Sequence, residues 1–193
     1  KLSWLKESHP HSLAKPREDN FGIALFSKLP FAEAEVAYIG KADVPSILAT
    51  VTTSQSKLRI IATHPLPPIG KDYSRKRNDQ LKRLPDYVPS NHPVLLLGDL
   101  NVTPWNYHFR RLLGRSGLHN SSKGYGVQPT WPNNNPLLRI PIDHCLHSED
   151  IAIVDRKIGE SVVSDHFPLI VDFVIQPESS IIESANQKWI LSR

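Results

Sequence analysis

The stretch Val94-Leu95-Leu96-Leu97-Gly98-Asp99-Leu100-Asn101 decides how the chain is read. Four apolar residues in a row, led by Pro93 and ended by Gly98, have the pattern of a strand buried on both faces. Two side chains with acceptor oxygens, Asp99 and Asn101, follow where the strand gives out. A loop at the end of a buried strand is a rigid place to hold reacting groups. Gly, Asp and Asn are also ordinary turn residues. The stretch alone leaves both readings open, and the rest of the chain decides between them.

Composition sets the bounds. The 193 residues suffice for a single domain, 1–193, with a sizeable core. With 39% hydrophobic and 22% charged residues, the chain has the balance of a globular protein and not of a disordered one. No apolar run approaches the ~20 residues a membrane helix needs. The single Cys145 excludes an internal disulfide framework and a cysteine-rich zinc site. A net charge of +4 mildly favours anionic partners. The chain has no Met and opens on Lys1, which sets the expectation of a piece of a longer protein whose upstream part is absent.

Working outward from the central stretch, strand patterns dominate. Phe21 to Ser27 reads as a strand closed by Pro30. The β-branched runs Ser46–Thr53 and Lys57–Thr63, joined by Ser54-Gln55-Ser56, read as an antiparallel hairpin. Ser74 to Leu84 has helical character and is strongly basic, and Pro85 ends it. A short helix is expected over Tyr107 to Leu113, with Gly114 as its cap. Ile142–Leu146, Ile151–Lys157 and Leu169–Ile175 are further strands. A helix ending before His9 and then a loop are expected at the start, and a last helix through Trp189 after Pro177. Strands outnumber helices and follow one another directly. The fold class is therefore α+β with mixed, mainly antiparallel sheets.

Two other segments share the design of the centre. Pro141-Ile142-Asp143-His144 sets a carboxylate in a short apolar strand, and Val163-Ser164-Asp165-His166-Phe167-Pro168 sets an Asp-His pair before the last strand. Thr63-His64-Pro65 ends a strand in the same way. Six polar side chains thus sit at or near strand ends: His64, Asp99, Asn101, Asp143, Asp165 and His166. Each has a plain structural reading of its own, since most of the nine His residues are surface or satisfied core groups. Ser164-Asp165-His166 is no hydrolase triad, because neighbours on an extended chain point to opposite sides. The residue types suit one chemistry. Asp and Asn oxygens are ligands for a hard cation such as Mg²⁺, and a His held by an Asp is an effective general acid or base.

Gly98-Asp99-Leu100-Asn101, Ile142-Asp143-His144 and Ser164-Asp165-His166-Phe167-Pro168, in that order, resemble the endonuclease/exonuclease/phosphatase superfamily. This is the family of deoxyribonuclease I, AP endonucleases, sphingomyelinases and inositol polyphosphate phosphatases. The resemblance covers about residues 19–175 and leaves the tail 177–193 unassigned; Thr63-His64 and Asn20 to Ser27 fit it too. It implies the C-terminal part of a four-layered α/β/β/α sandwich and a phosphoesterase, nuclease or phosphatase, acting by in-line attack of an activated water. It implies that Asp99 activates the water, that Asn101 contacts the scissile phosphate, that Asp165 ligates Mg²⁺ (or Mn²⁺), and that His166 is oriented by Asp143. His64 matches a second catalytic His, with Asp19 as its candidate carboxylate partner. The family's early metal-binding Glu has no counterpart here, so weak Mg²⁺ binding is expected, and an inactive relative acting as a binding module is the alternative. The partner implied is a phosphate-containing substrate, nucleic acid being one class. Arg75 and Arg77 of the basic helix could track such a backbone but read better as a solvated face. Trp105 reads as a packing residue, and Trp131 is open between stacking and packing. Thr130-Trp131-Pro132 resembles bacterial members, hence the expectation of a bacterial protein, intracellular or tethered through an upstream segment.

Overall fold

Four of the six expected site positions, His64, Asp99, Asn101 and Asp143, stand at or just past the ends of strands of one six-stranded mixed sheet, and Asp165 and His166 lie in the loop before a strand of a separate two-stranded sheet. The computed structural model describes residues 3–54 and 56–176; the helix expected after Pro177 lies outside the described residues. The strands are β1 (His11–Lys15), β2 (Ile23–Ser27), β3 (Phe31–Tyr38), β4 (Pro45–Thr52), β5 (Lys57–Thr63), β6 (Val94–Asp99), β7 (His119–Asn120), β8 (Asp143–His147), β9 (Ile151–Ile158) and β10 (Leu169–Ile175). The helices are α1 (Ser3–Ser8), α2 (Gly70–Arg83) and α3 (Tyr107–Ser116). The large sheet has the order β3-β4-β5-β6-β8-β7, and β1-β2 and β10-β9 form two-stranded sheets. Only the β5–β6 step is parallel within the large sheet, because α2 carries the chain back across its face.

Side-chain alternation along β6 builds two cores. Val94 and Leu96 point to the side where Leu81, Leu84, Phe109 and Leu112 bring in α2 and α3. Leu95 and Leu97 point the other way, where β9 and β10 supply Ile153, Leu169, Val171 and Phe173. Leu13, Ile23 and Leu25 of the β1-β2 ribbon pack on that same side, over Ile47, Ala49 and Ala62. A helical layer, the main sheet and a layer of ribbons are therefore stacked as the α/β sandwich expects. The apolar run of the central stretch is long because both of its faces are covered.

Three local expectations are corrected. His11–Lys15 is a strand and not a loop, since its backbone pairs in register with Ile23–Ser27. Phe31–Tyr38 is a further strand, whose Glu33 and Glu35 hide the pattern on an exposed edge. The cap of α3 is Gly117 (φ 70°), not Gly114, which lies within the helix. Only the left-handed residue can donate its N–H back to the Leu113 carbonyl.

Gly98 is required by close approach. Its φ is 142°, and a Cβ added there would stand 2.0 Å from the Thr63 carbonyl oxygen. The absence of a side chain lets the ends of β5 and β6 run together, one step beyond the pairing of Ala62 with Leu97. Gln80 of α2, fully buried, pins the same strand end through Nε2 to Thr63 Oγ1 at 3.0 Å, and Ser46 closes on Thr63 at 2.7 Å.

On the helical side, His144 is 2% exposed, lies 4.4 Å from the Phe109 ring centroid, and bonds the Val102 carbonyl through Nε2 at 2.7 Å. A carbonyl only accepts, so Nε2 carries the proton. Burial pushes the imidazole down to about 4 against the weaker pull of that hydrogen bond.

Gly98→Ala is expected to destabilise the protein by about 3 kcal/mol or more, because backbone and not a movable side chain fills the space; urea unfolding reads this directly. His144 gives a second expectation. Between its ordinary 6.5 and its folded value of about 4, the unfolded chain binds the extra proton, so this group's contribution to stability falls as pH falls through that window. The loss is of order 3 kcal/mol below pH 4. His144→Gln keeps a donor for Val102 and does not titrate, so unfolding curves across this pH range should show a shallower acid loss than wild type.

Candidate active site

The sheet register assembles the site from backbone pairing alone. Asp99 closes β6 opposite Asp143, the first residue of β8. His64 follows β5 on the other side of Asp99, in the parallel register that pairs Ala62 with Leu97. Three polar residues from distant sequence positions thus stand side by side at one end of the sheet. Asp165 and His166 reach the same place from the loop preceding β10. A cleft of about 900 Å³ opens there, lined by His64, Asp99, Asn101, Asp165 and His166. Asp143 stands behind His166.

The hydrogen bonds give each group an orientation. His166 Nδ1 and Asp143 Oδ2 are 2.8 Å apart, so the carboxylate holds the ring and turns Nε2 outward. His166 Nε2 is 3.8 Å and His64 Nε2 3.4 Å from the same oxygen, Asp99 Oδ2. The hydrogen bond to Asp143 raises the His166 pKa against the opposing effect of burial, with Asp99 and Asp165 adding to the rise. Asp99 Oδ1 accepts from the Asn101 backbone N–H at 2.8 Å. That tight turn puts Asn101 at φ 50°, a region Asn tolerates better than most residues. Asn101 Nδ2 donates to the Pro65 carbonyl at 2.9 Å, which ties the loop after β6 to the loop after β5.

Asp165 and His166, adjacent in the bend before β10, turn to different partners. Asp165 Oδ2 accepts from the Trp131 indole N–H at 3.0 Å. The Trp131 segment is fastened to the Asp165 loop by Asn133 N to Asp165 O at 2.8 Å and Phe167 N to Thr130 O at 2.9 Å. Arg139 completes the clamp, with its guanidinium 4.6 Å from the centroid of Phe167 and bonds to the Pro132 and Asn133 carbonyls. Trp131 is therefore neither a free stacking platform nor simple packing. It holds the Asp165 carboxylate while its ring stands 6.3 Å from His166.

Three expectations change here. Asp19 is not the partner of His64, since Arg17 takes it at 2.7 Å and the Phe21 N–H at 3.0 Å; the carboxylate beside His64 is Asp99. Trp105 is 60% exposed and does not pack into the core. Arg75 is exposed and pairs with Asp72, as a solvated face requires, but Arg77 is buried. Arg77 donates to the Asn101 carbonyl and, through Nε, to Asn78 Oδ1 at 2.8 Å, and it lines the cleft. It was legible in principle: Arg77, Gln80, Leu81 and Leu84 fall at the i, i+3, i+4, i+7 spacing of a buried helical stripe. Phe21, 5.5 Å from the His64 ring, also lines the cleft.

Among the described residues, no three His, Cys, Asp or Glu side chains form a group able to hold a metal ion by themselves. The carboxylates lining the cleft are Asp99 and Asp165, and Asn101 adds an amide oxygen beside them.

Against this geometry the comparisons are consistent. No curated protein matches the chain. Among solved structures, the 3′ phosphatase NExo from Neisseria, bound to a product DNA hairpin, superposes with a TM-score of 0.74 at 18% identity over 89% of this chain and 82% of that one. TDP2 from D. rerio, complexed with a single-strand DNA product, gives 0.71 at 19% identity over 90% and 80%. An endonuclease/exonuclease/phosphatase from Beutenbergia cavernae gives 0.71 at 18% over 91% of this chain, which spans 55% of that protein's length. At these identities the likeness is one of fold. The sequence model described as the endonuclease/exonuclease/phosphatase family matches residues 3–166, a range that takes in every polar group of the cleft from His64 to His166. On that match the chain belongs to the endonuclease/exonuclease/phosphatase family.

Proposed function

We propose that the protein is a divalent-metal-dependent phosphoesterase that cleaves a phosphodiester or phosphomonoester by in-line attack of an activated water. The observation that carries this reading is the Asp99 carboxylate set between two imidazoles, 3.4 Å from His64 and 3.8 Å from His166, with Asp143 2.8 Å behind the latter. A base beside positioned cations or proton donors is what phosphoryl transfer asks of a protein, since positioning and charge neutralisation dominate its barrier.

The donor set fits Mg²⁺, with Mn²⁺ as a substitute. Mg²⁺ is held by one or two carboxylates, waters and substrate phosphate, and the cleft offers hard oxygens without thiolates. Asp165 would hold it. Bound there, the ion would supply Lewis-acid neutralisation of phosphoryl charge. The remaining work falls to the chain's own groups. Asp99 takes the proton of the attacking water. His166, its Nδ1–H held by Asp143, presents Nε2–H to a phosphoryl or leaving-group oxygen when the ring is protonated, the state that the neighbouring carboxylates favour. Asn101, with one amide hydrogen on Pro65, directs the other toward a non-bridging oxygen. His64 shares Asp99 from the opposite side, and Arg77 adds positive charge to the cleft wall. Nucleic acid is the substrate class we favour, because the superposing NExo and TDP2 structures hold DNA products.

Asp99→Asn preserves volume and the acceptor for the Asn101 N–H but removes the base. It is expected to lower hydrolysis of a single-stranded oligonucleotide in Mg²⁺ by roughly 10²–10⁴-fold with little change in melting temperature. Full activity in this variant would refute the assignment. Binding of the oligonucleotide by wild type without turnover would instead favour a binding module. With Asp165 the only anchoring carboxylate assigned, calorimetric titration should show weak Mg²⁺ binding without substrate, tightening when a non-hydrolysable oligonucleotide is present.

A further inference from the structure

Behind the cleft lies a second, smaller cavity of about 140 Å³, lined by Pro104, Trp105, Ser122, Val127, His144 and Arg156 among others. Two of the residues that line it carry polar atoms with no protein partner among the described residues. Arg156 is only 3% exposed. Its guanidinium has five N–H donors. Two meet protein acceptors, Nε on Ser121 Oγ at 3.1 Å and Nη1 on Gln128 Oε1. Nη2 has no hydrogen-bond partner among the described residues, and no described carboxylate lies within ion-pair distance of it. Asp155, its neighbour, is taken up by the Arg156 backbone N–H and by Lys157. Gln128 is spent as well, because its Nε2 returns to the Arg156 carbonyl at 2.8 Å. A buried cation without a counter-charge costs several kcal/mol, so an anion entering the cavity meets an environment already built for it.

His144 specifies which anion. Its Nε2–H is committed to the Val102 carbonyl, which leaves Nδ1 of the neutral ring as a lone-pair acceptor with no partner among the described residues. A ligand that satisfies both groups must accept from Arg156 and donate to His144. A fully deprotonated oxyanion does only the first, whereas a phosphate that keeps one P–OH at neutral pH does both. The volume suits this size, about four or five water volumes at ~30 Å³ each, and excludes a nucleotide. Ser122 offers a hydroxyl at the same wall.

We propose that this cavity is a binding site for hydrogen phosphate, separate from the catalytic cleft, with Arg156 as the anion donor and His144 as the acceptor of the phosphate proton. The two sites share their partition. Asn101 to Thr103 face the cleft while Pro104 and Trp105 face the cavity, and Asp143, which orients His166, immediately precedes His144.

The test is calorimetric titration of the protein with inorganic phosphate and, separately, sulfate, in the presence of a chelator. Phosphate should bind and sulfate should bind roughly tenfold more weakly, the difference expected from one hydrogen bond. His166→Ala, which disables the cleft, should leave phosphate binding unchanged, and Arg156→Gln should weaken it by roughly tenfold or more. Should Arg156→Gln fail to fold, Val127→Trp plugs the cavity from its exposed rim without altering a buried group, and phosphate binding must then be lost. No phosphate binding by wild type, its loss in His166→Ala, its survival in Arg156→Gln or Val127→Trp, or equal affinity for sulfate would each overturn the proposal.

Discussion

The approach of β5 to β6 at Gly98 and Thr63 is the constraint on which the rest of the site depends. A strand that ends in a residue with a side chain would be held off by the Thr63 carbonyl, and His64 would be carried away from Asp99. With Gly98 in place, a parallel step on one side and an antiparallel step on the other converge on a single residue, Asp99. Neither contact requires a long or flexible side chain. Groups set by sheet register hold their separation to within the tolerance that in-line displacement demands.

Around that junction each neighbouring element contributes a fastening instead of a reacting group. Gln80 fixes the end of β5 from the helical side, and Arg77 one turn earlier holds the carbonyl of Asn101. Trp131 holds Asp165, and Arg139 holds the segment that carries Trp131. Loops with many fixed backbone bonds are slow to open and costly to deform. Function and packing are therefore not divided between loop and core here. α2 belongs to the core by way of Leu81, and to the cleft by way of Arg77.

Two buried arginines, Arg77 and Arg156, show how differently the same residue is used. Both are depressed in pKa by burial, and neither faces a carboxylate at ion-pair distance. Arg77 lines the open cleft, where water and substrate oxygens reach it. Arg156 lines a smaller chamber whose opposite wall is an uncharged histidine. Burying a guanidinium is tolerated when hydrogen bonds replace most of its hydration, and the replacement is incomplete at both places.

The sequence by itself determined the fold class, most of the strands and the six polar positions that the sheet ends bring together. Those signals are local: an uninterrupted apolar run, period-two alternation, and Gly, Asp, Asn or His at the point where each run stops. It also determined the order of the motifs that places the chain in its family. It did not reveal β1 and β3, because exposed edge strands bury too few side chains to show a pattern. Pairings were decided by tertiary structure alone. Asp99 and not Asp19 stands beside His64, the Trp131 indole reaches the exposed Asp165, and Arg77 turns inward while Arg75 turns out. Each of these depends on which surfaces meet when the ribbons and α2 dock on the central sheet. A residue's own neighbours carry no record of that, since burial is a property of the assembled layers and not of the chain.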